Sequence, residues 1–517
     1  MPITARLLLI CLLLLAAGLA LADNPAPATP PPPASAAGAA PAPAPAPAVA
    51  PETPTPFQQG LALYQQSKLP EALARFQAAL QAQPNEPVLL AWCGTVCLEL
   101  GRLDDAIKYL TSATTEDPKS KVYFNNLGNA YAAAGHKDKA EAAYRSALAL
   151  DPKYFDAHFN LANLKSAEGD WNVAFNEYSR ATAAKPDDPE VHLNFGFALR
   201  KAGELDKAIR EYQTAARLQP DRLETQMTLG ALLLEAKRDA LAADVYAKVI
   251  AAVPDKPEAL LGQGTALYNL GRYPEAVGPL TKASAALPGM FQAQFNLALV
   301  QAALKNYPAA ESAYNQALAL HPNDATCLNN LGTLQFDQKK YREAADTFAK
   351  AITANPQMEL PYLNRARALA QAGQVESARQ AWETITRLFP DSEQGHLGLA
   401  DAYYSAGDRD HALQQYLRVV SINPANAAAH NNAGLIYLDR KDTDKTALAS
   451  AETHFRAALA AEPKFVPALN NLGVVYQDEG KVDQAKEMYL KALQLEPTYD
   501  PAKKNLDQLK SPGRMQG

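Results

Sequence analysis

Proline recurs through this chain at a fixed interval. Pro84, Pro118, Pro152, Pro186, Pro220, Pro254, Pro288, Pro322, Pro356, Pro390, Pro424, Pro463 and Pro497 are 34 residues apart, with one longer step of 39 between Pro424 and Pro463. A period of that length is the mark of stacked small units, not of one globular core. Each unit buries its apolar face only against its neighbours. Whatever the chain does must therefore be done on a repeated surface.

Alanine stands twelve residues before every one of these prolines: Ala72, Ala106, Ala140, Ala174, Ala208, Ala242, Ala276, Ala310, Ala344, Ala378, Ala412, Ala451 and Ala485. Twelve residues earlier still lies glycine or alanine, as in Gly60, Gly94, Gly128, Ala162, Gly196, Gly230, Gly264, Ala298, Gly332, Ala366, Ala400 and Gly473, with Gly434 displaced in the longer unit. Helices approach closely only where side chains are small, so the two positions predict the crossing of two antiparallel helices. Four residues after the alanine comes a large side chain, aromatic in Phe76, Tyr144, Tyr178, Tyr212, Tyr246, Tyr314, Phe348, Trp382, Tyr416, Phe455 and Tyr489 and leucine in two units. It falls on the alanine's face, one turn on. Gly101, Gly135, Gly169, Gly203, Gly271, Gly373, Gly407 and Gly480 follow the first helix, where a left-handed cap favours glycine. The period proline stops the second helix.

These residues at this spacing resemble the tetratricopeptide repeat family over residues 53–499. The family's large residue near the start of each unit is looser here: Leu90, Phe124, His158, His192, Gln226, Leu260 and Gln294. The resemblance implies an all-α, right-handed TPR superhelix of about thirteen helix-turn-helix repeats. It also implies that the first helix of each repeat lines a concave groove and the second faces outward. Asp500 to Lys510 reads as one more first helix with a polar outer face, a capping helix of the kind a solenoid needs to stay soluble. The tail 511–517 is expected to be disordered.

The front end has a different composition. Residues 1–22 have the pattern of a secretory signal: Arg6, an apolar run from Leu7 to Leu15, and Ala20-Leu21-Ala22 before Asp23. Export to a bacterial periplasm follows; left uncleaved, the segment would be a membrane anchor. Residues 23–56 form a Pro/Ala-rich linker that favours polyproline II. Fully extended at ~3.1 Å per residue, it would reach roughly 100 Å.

The motifs of catalysis are missing. There is no G-x-x-x-x-G-K-[ST], H-E-x-x-H, G-x-S-x-G or C-x-x-C. No enzyme activity, cofactor, metal or small-molecule substrate is expected. The formal charge of −6, without a basic stripe, argues against nucleic acid. Cys93 and Cys97, four apart on one helix face, are expected to be packed core thiols. His158, His192, His396 and His430 share the fourth position of their units and are expected to be hydrogen-bonded, partly buried imidazoles. The insertion at Lys441–Lys445 is expected to be a solvated turn.

The surface that remains is marked by asparagine. Position six of the first helix carries Asn126, Asn160, Asn194, Asn296, Asn330, Asn364, Asn432 and Asn471, and the last segment repeats it at Asn505. Asn125, Asn329, Asn431 and Asn470 stand beside it at position five. Asparagine is a poor helix former, so it needs a reason. One is hydrogen bonding between neighbouring first helices. The other is that a carboxamide both donates and accepts, so a row of them can bind the backbone of an extended peptide. The row resembles that in the repeat region of O-linked N-acetylglucosamine transferases. Phe159, Phe197, Tyr268, Phe295, Phe336 and Tyr404 share the face and suit apolar side chains. The row lapses at Thr228, Gly262 and Gly398. A clamp for a C-terminal carboxylate is not expected, because the matching neighbours Phe159, Glu190, Glu224 and Thr228 carry no positive charge.

The expectation is a non-enzymatic scaffold that binds a protein or peptide partner as an extended segment in the groove, within the bacterial envelope, where a membrane-associated complex is one setting for it. A structural subunit of a secretion, pilus or polysaccharide-export assembly, and an accessory to a glycosyltransferase, are the alternatives.

Overall fold

The computed structural model describes residues 55–510. The signal assigned to 1–22, the linker up to residue 54 and the tail 511–517 lie outside the described residues. Within them the chain forms 27 helices and no strand: thirteen antiparallel pairs and a last single helix, Asp500–Lys510. The first pair is Pro56–Gln65 and Leu69–Ala82. It opens inside the stretch assigned to the linker, because Thr55 makes a capping box. Its Oγ1 accepts from the Gln58 N–H at 3.3 Å, and Gln58 Oε1 accepts from its own N–H at 2.9 Å. The chain makes two compact units, one ending at Leu287 and the other beginning at Pro288. The first holds repeats one to seven, the second repeats eight to thirteen and the last helix.

Within a repeat, the ring four residues after the alanine fills the notch left by the glycine of the first helix. A Cβ added to Gly128 would meet the Tyr144 ring at 2.5 Å, and one added to Gly332 would meet the Phe348 ring at 2.7 Å. The same holds for Gly473, whose added Cβ would meet the Tyr489 ring at 2.5 Å. So the small residue admits the ring as much as it lets two backbones approach. Tyr178, Tyr246, Tyr314, Tyr416, Tyr489, Phe76, Phe348 and Phe455 are all essentially inaccessible to water. Burying a side chain of this size stabilises by about 1.5–3 kcal/mol, and the contact recurs wherever glycine faces such a ring.

The two helices of a repeat are buried unequally. Within each unit, a second helix packs between its own first helix and that of the following repeat, and several neighbouring first helices also touch. First helices are therefore apolar on most sides: Pro257–Asn269 buries Ala259, Leu260, Leu261, Gly262, Gly264, Thr265, Ala266 and Leu267. The second helix Lys137–Leu150 buries only Ala140, Ala143, Tyr144 and Ala147. What a first helix leaves uncovered is one narrow strip, and within each unit these strips lie side by side.

The turn between the helices needs a left-handed residue. The expected glycines take it, from Gly101 at φ 72° to Gly407 at φ 84°. Where glycine is absent, Ser67, Lys237, Lys305 and Lys339 adopt the same conformation at φ 57° to 62°. The Lys339 N–H still donates to the Phe336 carbonyl at 2.8 Å and the Lys340 N–H to that of Gln335 at 2.9 Å. The cap is kept although a side chain in this region costs about 1–2 kcal/mol. Replacing Lys339 by glycine is expected to stabilise the second unit by about 1 kcal/mol. Urea unfolding measures this; an unchanged or lowered midpoint contradicts it.

Candidate functional site

The asparagine row is a ladder between repeats. Asn160 Nδ2 donates to Asn125 Oδ1 at 3.0 Å, from position six of one repeat to position five of the one before. The same step joins Asn364 to Asn329 at 3.0 Å, Asn471 to Asn431 at 3.0 Å and Asn505 to Asn470 at 2.9 Å. Asn125 and Asn329 are each 1% exposed. A buried amide without a partner costs about 1–3 kcal/mol, so each position-five asparagine needs the asparagine one repeat on. That pairing is readable in the sequence: all four position-five asparagines are followed by one. Other rungs differ. Asn126 donates to Thr95 Oγ1 at 3.4 Å, Asn194 to its own helix at Glu190 O, 2.8 Å, and Asn432 to the Tyr416 hydroxyl at 3.2 Å. Asn296 is buried.

Donation into the stack leaves the opposite edge of the carboxamide over. Asn126, Asn160, Asn194 and Asn364 are half-buried, and their Oδ1 atoms accept no hydrogen bond from the described residues. Two donors beside them are also unused. Asn163, one turn along from Asn160, accepts the Tyr178 hydroxyl on Oδ1 at 2.6 Å, while its buried Nδ2 has no partner. Asn330 Nδ2, at position six of repeat nine, is likewise buried without one. The strip thus offers free acceptors, with unpartnered donors buried beside them, within a helical turn in the first unit and a repeat apart in the second.

The aromatic residues divide. Phe159 and Phe295 are 7% and 8% exposed and belong to the core. Phe159 stacks on Phe155 with ring centres 5.7 Å apart, and Phe295 on Phe291 at 5.4 Å. Their expected place on the open face is corrected by these packing partners. Phe197 is 37% exposed and stays on the strip, as do the half-buried Tyr268, Phe336 and Tyr404. Tyr404 lies beneath the Arg409 guanidinium, 3.7 Å from its ring centre. Arg367, one turn from Asn364, donates to Gln394 Oε1 at 2.8 Å, and burial holds its pKa below the usual range. Position two of repeats four to seven is acidic, at Asp156, Glu190, Glu224 and Glu258.

The gaps in the row have a steric cause. At Gly398 an added Cβ would meet the Trp382 ring of the preceding repeat at 2.7 Å, and Gly262 is filled in the same way by Tyr246. There the ring reaches past its own hairpin and occupies the rung. At Thr228 the hydroxyl donates back to the Glu224 carbonyl at 2.9 Å.

The four histidines brace the outer side of their hairpins. His158 Nε2–H donates to the Pro152 carbonyl at 3.0 Å, and Nδ1 shares a hydrogen with Glu177 Oε2 at 2.5 Å. His192 bridges Pro186 and Glu211, and His396 bridges Pro390 and Gln415, in the same way. The partner lies 19 residues downstream in each case, a spacing that could have been found in the sequence. In repeat twelve that partner is another histidine. His430 Nε2–H donates to the Pro424 carbonyl at 3.2 Å, and its Nδ1 meets Nδ1 of His454 at 3.0 Å. A neutral His430 then presents a lone pair, and His454 donates its Nδ1–H. Burial, then the charge of His430, holds His454 down to about 4. Burial likewise lowers His430.

Cys93, Cys97 and Cys327 are buried free thiols. Burial pushes Cys93 up to about 12 and Cys97 up to about 11. In the insertion, Asp444 Oδ1 accepts from the Thr446 N–H at 2.8 Å and Lys441 pairs with Asp478 at 2.8 Å. Among the described residues no helix is long and apolar enough to cross a membrane.

Comparison with known proteins bears on the repeats. Models of the tetratricopeptide repeat match residues 63–127, 131–194 and 165–232, then 289–357, 363–427, 397–449 and 466–499. Two curated relatives are probable UDP-N-acetylglucosamine–peptide N-acetylglucosaminyltransferases, both named SPINDLY. That of Solanum lycopersicum is 37% identical over 67 residues, 13% of this chain and 7% of its own length. That of Petunia hybrida is 42% identical over 48 residues, 9% and 5% respectively. The chain thus spans less than a tenth of either relative. Among solved structures, yeast Tom70 is 17% identical, with a TM-score of 0.35, over 82% of this chain and 95% of that one. YrrB, described as a TPR protein with an unusual peptide-binding site, is 20% identical with a TM-score of 0.33, over 38% and 98%.

Two outcomes are expected from the site's packing. An unfolded histidine binds a proton below its ordinary value of 6.5, whereas folded His454 refuses one until about 4. Stability should therefore fall as pH drops through that window and level off below it. His454→Gln, which restores the partner type of His396, should flatten the difference in thermal midpoint between pH 7 and pH 4.5; an equal fall in both proteins contradicts this. Secondly, Gly262→Asn should not extend the ladder but destabilise by about 1–3 kcal/mol through overpacking. Adding Tyr246→Leu should recover part of that in a double-mutant cycle; strict additivity contradicts it.

Proposed function

We propose, for a chain that belongs to the tetratricopeptide repeat family, that the first-helix strip of each unit holds an extended segment of a partner protein by its backbone. The family membership makes the chain a protein-interaction scaffold. The observation that carries the finer reading is the set of unused polar edges: acceptors at Asn126, Asn160, Asn194 and Asn364 beside buried, unpartnered donors at Asn163 and Asn330. A strand-like peptide presents alternating N–H and C=O groups, and these match both kinds. An unpaired buried donor costs about 1–3 kcal/mol, and a guest carbonyl removes that cost. The ladder holds the carboxamides in place before the guest arrives, so less ordering entropy opposes binding.

Side-chain preference then comes from the neighbours. Phe197, Tyr268, Phe336 and Tyr404 supply apolar contact, and Asp156 and Glu224 favour cationic side chains along the first unit, where Glu190 and Glu258 already pair with Arg222 and Lys256. Binding is divided where Tyr246 and Trp382 block the row. The scaffold acts without catalysis, and the leader pattern supports placing it in a bacterial periplasm.

Panning the full chain against a display library of unstructured peptides tests the reading. Asn194→Ala is informative because Asn194 makes no bond between repeats. Combined with Asn163→Ala, it should weaken the selected peptides at least ten-fold, about 1.4 kcal/mol, with little change in helicity. Peptides that bind both proteins equally would overturn the proposal.

A further inference from the structure

Repeat ten breaks the pattern on the side away from the asparagines. Position seven of the first helix is leucine in seven repeats (Leu127, Leu161, Leu229, Leu297, Leu331, Leu399 and Leu472) and carries a charge in none but repeat ten. Repeat ten has Arg365 there. It also has Ala381 at the position where Glu177, Glu211, Gln415 and His454 brace the imidazoles of other repeats. Tyr362 replaces the histidine, and its hydroxyl donates to the Pro356 carbonyl at 3.3 Å. Removing the large partner at Ala381 opens a cavity of about 300 Å³, and Arg365 lines it.

The chemistry of the walls is specific. The half-buried Arg365 has no hydrogen-bond or ion-pair partner among the described residues, and neither has the hydroxyl of Ser377 on the facing helix. Gln380 is already joined to Glu376 at 3.0 Å, and Thr384 to the Gln380 carbonyl at 2.9 Å. The rest of the wall is apolar: Ile352 from the repeat before, Ala381 and the Tyr362 ring. A guanidinium at a position held by leucine elsewhere loses hydration without gaining a carboxylate, which is unfavourable unless something supplies one. Its planar fork matches a carboxylate in bidentate fashion. One cation among Ser377, Gln380 and Thr384, facing an apolar side of Ile352, Ala381 and the Tyr362 ring, suits one negative charge on a short hydrocarbon body, and the volume is at the small end for ligand sites.

We propose that this cavity binds a carboxylate on a short aliphatic body, with Arg365 and Ser377 on the anionic end and Ile352, Ala381 and Tyr362 around the chain. The site is independent of the peptide strip and lies within the second unit alone. The same group comes from a free acid or from an acidic side chain of a partner.

The test follows the Ile352 methyl resonance of the full chain by NMR. The probes are 4-methylpentanoate, its neutral amide 4-methylpentanamide, and N-acetyl-glutamate amide. The free acid should shift the methyl at millimolar concentration, and the amide should bind at least ten-fold more weakly. Arg365→Leu, which places the residue of seven other repeats at this position, should abolish the shift. Ala381→Glu, which supplies an internal carboxylate, should do the same in a protein that keeps Arg365. Binding by 4-methylpentanoate alone assigns the site to free acids; binding by N-acetyl-glutamate amide as well extends it to acidic side chains. The proposal is overturned if no probe moves the methyl, if amide and acid bind alike, or if Arg365→Leu and Ala381→Glu both bind the acid as the parent does.

Discussion

Everything in this molecule depends on a ring entering a notch. Where the first helix has glycine, the large side chain of the second helix occupies the space a Cβ would take, as Tyr144 does at Gly128, Tyr489 at Gly473 and Leu280 at Gly264. That contact sets the depth to which two helices nest. It also consumes the inward faces of both helices, so the first helix must bury its remaining sides against its neighbours. In a stack of repeats stability is close to a sum of such local and nearest-neighbour terms. Substitutions within one repeat are then felt there and in the adjoining repeats.

The same ring couples the core to the open strip. Tyr144 and Tyr178 reach through their hairpins to the carboxamides of Asn129 and Asn163, at 2.8 and 2.6 Å. Tyr416 does so to Asp401 at 2.6 Å, and burial raises the pKa of that carboxyl above its ordinary value. Where the ring leans further it takes the place of the next repeat's asparagine, at Gly262 and Gly398. A single hairpin device thus decides both how repeats nest and where the strip is continuous.

The helices, their stops and the hairpin notch were legible because each rests on a short fixed spacing along one chain. The ladder and the imidazole braces were less so, since they join positions 35 and 19 residues apart and need a rule about partners, not about periods. Phe159 and Phe295 were misplaced for a related reason. Position five lies at the edge of the strip, and a phenylalanine there turns inward when a tyrosine ring faces it, Tyr178 at 6.4 Å and Tyr314 at 6.1 Å. Lys237, Lys305 and Lys339 show that the left-handed turn is imposed by the stack even where no glycine announces it.

The central claim is that partners are held on the first-helix strip and not on the second helices. Site-specific photocrosslinking in the producing cells tests it most directly. A benzophenone amino acid placed at Phe197 or Phe336 should trap a partner protein, and one placed at the exposed second-helix residues Leu241 or Val375 should not. Adducts from Leu241 and Val375, with none from Phe197 and Phe336, would contradict the account.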